Sequence, residues 1–101
     1  MPKGYVIATV AIHDQGRFDG YVQKALPTIL QSGGRPIVVH DAPEVIEGRW
    51  HGSRTVVIEF DSLEAARNWY RSPQYQAVVG ERHASADTNA VIVGGFEMPS
   101  T

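Results

Sequence analysis

Apolar residues along the chain fall into short runs separated by two stretches of helical spacing. The first run, Gly4 to Ile12, reads as a strand and ends at His13-Asp14. Phe18, Tyr21, Val22, Ala25, Leu26, Ile29 and Leu30 then recur every three to four residues, which predicts one apolar stripe of a helix. Asp14 is placed to cap that helix, Pro27 to kink its last turns and Gly33-Gly34 to end it. Ile37 to His40 reads as a strand, broken at Asp41-Ala42-Pro43 and resumed over Glu44 to Glu47. The proline predicts an edge strand or a bulge. Gly48 to Ser53 reads as a turn with Trp50 and a solvated His51 at its tip. Thr55 to Phe60 is the clearest strand. Asp61 and Glu64 suggest a capping box for a helix over Leu63 to Tyr70. A second helical segment starts at Ser72-Pro73 and runs to about Arg82. A loop over Ala84 to Thr88 leads to a last strand, Asn89 to Val93.

The predicted order is β-α-β-β-α-β. It defines an α+β, ferredoxin-like fold: a four-stranded antiparallel sheet with both helical regions on one face. Residues 4–97 form the expected single domain, and 98–101 a loose tail.

Side chains alternate across a strand, so each strand can be divided into two faces. Val56, Ile58 and Phe60 are assigned to the helices; Thr55, Val57 and Glu59 face the other way. In the first strand both sets are apolar, as are both sets of Ala90 to Val93. A sheet with one wet face alternates apolar with polar. This one does not, so a second cover is expected. The simplest cover is another copy of the sheet, related by a two-fold axis. Burying ~600–800 Å² per subunit is a standard interface size. In crude area terms it is worth more than about 10 kcal/mol before association costs.

Composition narrows the function classes. The chain has 101 residues, enough for one domain with its own core. Cysteine is absent, which excludes disulfides, thiolate nucleophiles and cysteine-held metals. The formal net charge of −2 speaks against nucleic-acid binding through phosphate neutralisation. The first apolar run is too short to span a bilayer and lacks the cleavage signal of a leader, so a cytoplasmic protein without a membrane partner is expected.

Several ordered residues carry a family likeness. They are Gly4-Tyr5, Tyr21-Val22, Gly33-Gly34, Glu47-Gly48-Arg49-Trp50, Val57-Ile58-Glu59-Phe60, Ser62-Leu63-Glu64-Ala65-Ala66, Trp69-Tyr70, Ser72-Pro73-Gln74-Tyr75-Gln76 and Arg82. Together they resemble the domain-of-unknown-function 1330 family over about residues 4–95. The resemblance implies a ferredoxin-like fold of the dimeric α+β barrel superfamily, and no catalytic residues. Val39-His40-Asp41 stands where many members carry Arg-Gly-Gly, so no role of that arginine carries over. The wider superfamily includes cofactor-independent quinol monooxygenases, muconolactone isomerases and haem-degrading enzymes, an analogy of fold only.

The candidate pocket residues are His40, Glu59, Trp69, Tyr70, Tyr75 and Arg82. Glu59 lies mid-strand between apolar neighbours, either as an acid–base group or in an ion pair with arginine. Trp69, Tyr70 and Tyr75 form either an apolar ligand wall or plain core. His40 suits proton transfer near neutral pH if it faces inward. Arg35, Arg54 and Arg82 sit at element ends, able to clamp a ligand carboxylate or to pair with Glu47, Glu59 or Glu81 across a dimer. The four histidines show no metal-ligand spacing, and no nucleotide loop or serine-hydrolase elbow occurs, so neither metal nor cofactor is expected. The spacing of Trp69 and His83, and a first strand without asparagine, speak against haem.

Three readings stand side by side. One is a homodimer that binds a small, partly apolar or acidic ligand. Another is a cofactor-independent monooxygenase or isomerase acting on an aromatic or enolised acid. The last is a structural dimer without a ligand. A cavity of ~300 Å³ or more, lined by Glu59 or His40, is what the first two predict.

Overall fold

A computed structural model describes residues 2–99. Four strands and four helices follow in the order β1 (Gly4–Ile12), α1 (Gln15–Gln31), β2 (Arg35–His40), β3 (Arg54–Phe60), α2 (Leu63–Arg71), α3 (Pro73–Gln76), α4 (Val79–Ser85) and β4 (Ala86–Gly94). The sheet order is β2-β3-β1-β4, and all three pairings are antiparallel. This is the predicted α+β fold, with β2 and β4 at the edges. β2 carries an irregularity between Pro36 and Val38.

Local chemistry sets the element ends. The Arg17 N–H donates to Asp14 Oδ1 at 3.1 Å, the expected cap of α1. Helix α1 continues through Pro27 to Gln31. Gly33 then takes φ 79°, a conformation that glycine adopts without a Cβ clash. A side chain at the next residue, Gly34, would meet the Phe60 ring at 2.5 Å. The glycine pair therefore ends the helix and lets the returning chain press against the core.

Four boundaries differ from expectation. Residues 44–47 do not resume a strand: β2 stops at His40, and 41–53 form an excursion with Ile46 87% exposed. Its alternating pattern finds no neighbouring strand. Helix α2 is capped by Ser62, whose hydroxyl accepts from the Ala65 N–H at 3.0 Å, and not by Asp61. The segment after Pro73 is two helices, since a turn at Ala77-Val78 separates α3 from α4. Finally, β4 starts at Ala86, so most of the expected loop is strand. Pairing with Ile12, Ala11 and Val10 draws residues 86–88 into the sheet despite Asp87. Met98 and Pro99 lie beyond β4 outside any helix or strand, and the rest of the predicted tail lies outside the described residues.

All helices cover one face of the sheet. The core there holds Val6, Ile58, Phe60, Ala66, Trp69 and Tyr75, with a smaller cluster of Val10, Phe18 and Ala86. Val56, Ile58 and Phe60 thus face the helices, as their alternation predicts. Among the described residues, no helix is long and apolar enough to cross a membrane.

Candidate functional site

Helix α1 packs on α4 and meets the sheet through Phe18, Ala25 and Ile29, but it does not fill all the room above β1 and β3. The space between is an apolar cleft of about 160 Å³. Its floor comes from β1 and β3 through Val6, Ala8, Val56 and Ile58, and its roof from Val22 and Leu26 of α1. Edge strand β2 adds Pro36 and Val39. Val39 is 59% exposed and Val22 and Leu26 38% each, which marks the mouth between α1 and β2.

Aromatic residues build the inner wall. The Trp69 and Tyr75 rings lie 4.1 Å apart between centroids, and Tyr70 packs on Tyr75 at 5.6 Å. The indole N–H of Trp69 donates to Thr28 Oγ1 at 3.0 Å. That hydroxyl in turn donates to the Ala25 carbonyl at 2.6 Å. Trp69 therefore presents only an apolar surface to the cleft, with its one donor already used. Ser72 ends α2 and starts α3: it caps the Tyr75 N–H at 3.2 Å, which brings Trp69 and Tyr75 together across a helix break with their rings tilted by 40°.

Polar groups are few. The Tyr21 and Tyr75 hydroxyls are hydrogen-bonded to each other at 2.7 Å. Burial, with Tyr75 beside it, holds the Tyr21 hydroxyl well above the ordinary phenol range, so it stays protonated. Two arginines line the cleft. Arg54 is paired with Asp41, through Nε at 2.5 Å and Nη2 at 3.2 Å, and its guanidinium lies 5.6 Å over the Phe18 ring. Arg82 is only 8% exposed, forms no salt bridge among the described residues, and leaves its Nε without a hydrogen-bond partner. Burial works against its charge, but the Tyr75 and Tyr21 hydroxyls outweigh that, and the guanidinium stays ionised.

The six residues singled out in the sequence divide between the two faces of the sheet. Trp69, Tyr70, Tyr75 and Arg82 come together in the cleft. Glu59 and His40 lie on the opposite, open face, where Glu59 is paired in register with Arg35 and with Tyr5. The cleft is thus smaller than the expected ~300 Å³ and is lined by neither Glu59 nor His40. The strand period explains the split: one residue separates Ile58 from Glu59, and hence one face from the other.

On the open face, Glu59 accepts from the Tyr5 hydroxyl at 2.9 Å and is bound by the Arg35 guanidinium. The tyrosine hydrogen bond, followed by the arginine, holds the Glu59 carboxyl below the usual carboxylate range. Of the alternatives drawn from sequence, this is the ion pair, made within one chain. His40 Nε2 lies 3.1 Å from the carbonyl of Ala42 on the exposed edge. His51 is not solvated as expected. Its Nδ1 lies 2.9 Å from Thr9 Oγ1 and its Nε2 3.4 Å from Asp87, so it folds back onto the sheet. Among the described residues no group of three or more histidine or acidic residues could hold a metal ion.

Sequence reasoning passed over Tyr21 and Thr28. Tyr21 sits on the apolar stripe of α1 and reads as core. Thr28 is a hydroxyl between Ala25 and Ile29 whose bond to Trp69 spans 41 residues of sequence.

The sheet order, the helical layer and the cleft between them define a ferredoxin-like α+β protein. The chain belongs to the family described as a domain of unknown function, DUF1330, whose model matches residues 3–96. No curated protein matches it. Among solved structures it is similar to a protein of unknown function from Rhodopseudomonas palustris, at 15% identity and a TM-score of 0.79, covering 96% of this chain and 85% of that one. It is similar to SnoaB, a cofactor-independent oxygenase from Streptomyces nogalater, at 12% identity and a TM-score of 0.68, covering 100% and 97%. It is also similar to a dimeric ferredoxin-like protein of unknown function from Thermobifida fusca, at 15% identity and a TM-score of 0.63, covering 92% and 91%.

Proposed function

We propose that residues 4–97 form one domain, that two copies pair through their open sheet faces, and that each copy holds a small, partly apolar ligand in the cleft. The observation that carries the ligand reading is the apolar space between α1 and the sheet, where a closed core would be filled.

Pairing has its own support. The chain exposes 6575 Å². A compact monomer of this mass exposes about 5,700 Å² by the usual size scaling. The excess is on the order of one side of a standard interface, ~800 Å². Val38, Val91 and Val93 on the open face are 39%, 53% and 39% exposed. The Thermobifida fusca protein, of like fold, is described as dimeric.

Light scattering at micromolar concentration tests the pairing: a dimer mass is expected, and a monomer mass overturns it. Heteronuclear NMR with one-ring aromatic fragments tests the cleft. The Trp69 indole signal should shift, and Val39→Trp at the mouth should suppress the shift. Shifts confined to other surfaces, or none at millimolar fragment, overturn it.

A second reading is favoured by the likeness to SnoaB. It is turnover of an aromatic or enolised acid without metal or flavin. The proton-bearing groups at the cleft would be the Tyr21 and Tyr75 hydroxyls, since Glu59 and His40 stand across the sheet. Product formation by the purified protein, lost in Tyr21→Phe, supports this reading; its retention in that variant counts against this assignment.

A further inference from the structure

A guanidinium inside an apolar cleft needs an anion. Taking a charge out of water is costly unless a counter-charge or a full set of hydrogen bonds replaces the solvent. The chain meets that need at Arg54, which lines the cleft and has Asp41. Among the described residues it gives Arg82 no carboxylate, though Arg82 is the more deeply buried residue, 8% exposed with Nε unpartnered. The Tyr75 and Tyr21 hydroxyls favour its charge, but a phenol is not a carboxylate. They also supply a donor. In the Tyr21–Tyr75 pair one hydroxyl donates to the other, and the acceptor's own proton is left over for a third group.

We infer that Arg82, with the spare hydroxyl of the Tyr21–Tyr75 pair, is the receptor for a carboxylate on a ligand whose apolar body is about one aromatic ring in size. The inference rests on the cleft being a ligand site. Ring size follows from volume: the cleft offers about 160 Å³, and an apolar cavity of ~150 Å³ takes up benzene. Orientation follows from the walls. Trp69 has no donor to spare, and Val6, Val56, Ile58 and Leu26 are apolar, so the ring lies among them. The carboxylate then turns to Arg82, the cleft-lining cation without a carboxylate partner among the described residues, whose planar fork suits two carboxylate oxygens. Arg54 does not compete, since its Nε and Nη2 are taken by Asp41.

The test uses benzoate and its neutral counterpart benzyl alcohol as probes, titrated into the full chain at low salt. Binding is read from the NMR shifts of cleft residues, the Trp69 indole among them. Benzoate should bind at least about tenfold more tightly than benzyl alcohol, as expected for hydrogen bonds to a charged group. Arg82→Met should abolish that preference while leaving benzyl alcohol bound. Arg82→Lys should keep part of it, because the charge remains but the fork is lost. Arg17→Met, which removes a surface pair with Glu81 outside the cleft, should change neither probe. Equal binding of the two probes to the unaltered protein overturns the anion assignment and leaves the cleft reading intact. Failure of both probes to reach the cleft overturns the cleft reading as well. The comparison on the unaltered protein needs no variant, so it decides the question even if Arg82→Met does not fold.

Discussion

The two faces of the sheet treat the same residue types in opposite ways. On the helix side an aromatic wall surrounds Arg82, whose buried charge has no carboxylate partner among the described residues. On the open side a tyrosine, a glutamate and an arginine, Tyr5, Glu59 and Arg35, satisfy one another. His51 likewise lies against Thr9 and Asp87. The open side is therefore electrostatically complete but leaves apolar area in water. The cleft side is covered by helices except at the mouth between α1 and β2, and it is electrostatically incomplete. The first deficit is met by a large complementary surface, such as a second sheet. The second is met by a small anion. Burial alone does not make a site; an unmet requirement of a particular kind does.

Adjacent positions on β3 test this division most sharply. Ile58 is 6% exposed in the core, and Val57 faces the other way. Ile58→Asp should cost at least about 4 kcal/mol and leave the chain unfolded near 25 °C, since an unpaired charge in a core has no compensation. Far-ultraviolet circular dichroism and urea melts check it. Val57→Asp should leave the protomer folded and weaken pairing more than about 100-fold, because a two-fold axis places both new charges at one interface. Sedimentation across a concentration series checks that. If both variants unfold equally, the two faces do not differ as described. If Val57→Asp pairs normally, the open face is not the interface.

The fold was legible because it rests on periodicity. Strand alternation in 55–60, the apolar stripe of α1 and the glycine pair at 33–34 each carry local information, and together they specify the element order. The boundaries that escaped depend on non-local partners. Asp87 reads as loop until β1 is there to pair with it, and residues 44–47 read as strand although no neighbour exists for them. The site was half legible for the same reason. Trp69, Tyr70, Tyr75 and Arg82 cluster in sequence around two helix breaks, so they could be grouped. Alternation places Glu59 on the face away from the helices, whereas Trp69, Tyr70, Tyr75 and Arg82 gather on the helix side, so the six candidates do not share one pocket. Tyr21 and Thr28 join the site only through contacts 54 and 41 residues away in sequence, which no local pattern encodes.

Thr28 gives the next prediction. Its hydroxyl links Trp69 to the Ala25 carbonyl and so fixes the aromatic wall to α1. Thr28→Val keeps the shape but leaves the indole N–H without a partner, at a cost of about 1–3 kcal/mol. The loss should appear in urea melts, with a shift of the Trp69 side-chain signal. A neutral result would mean that the wall does not depend on α1.

The smallest effect concerns the open face and depends on pH. Tyr5 first, then Arg35, hold the folded-state pKa of Glu59 below its unfolded value. The folded state therefore binds this proton less readily than the unfolded chain does. The resulting stability is fully present above the ordinary carboxylate range and is lost as pH falls through the lowered folded-state pKa. Asp41 and Glu81, each lowered by a hydrogen bond from arginine, contribute in the same window. Glu59→Gln should therefore flatten the acid limb of the stability profile in part rather than remove it. If a second copy covers Glu59, protonation also acts on the interface, and the part of the limb removed by Glu59→Gln should vary with protein concentration. The parts due to Asp41 and Glu81 should not, since neither residue lies on the open sheet face. Acid titrations of both proteins at two concentrations separate these contributions, and a Glu59 contribution that is independent of concentration would place that carboxylate outside any contact between copies.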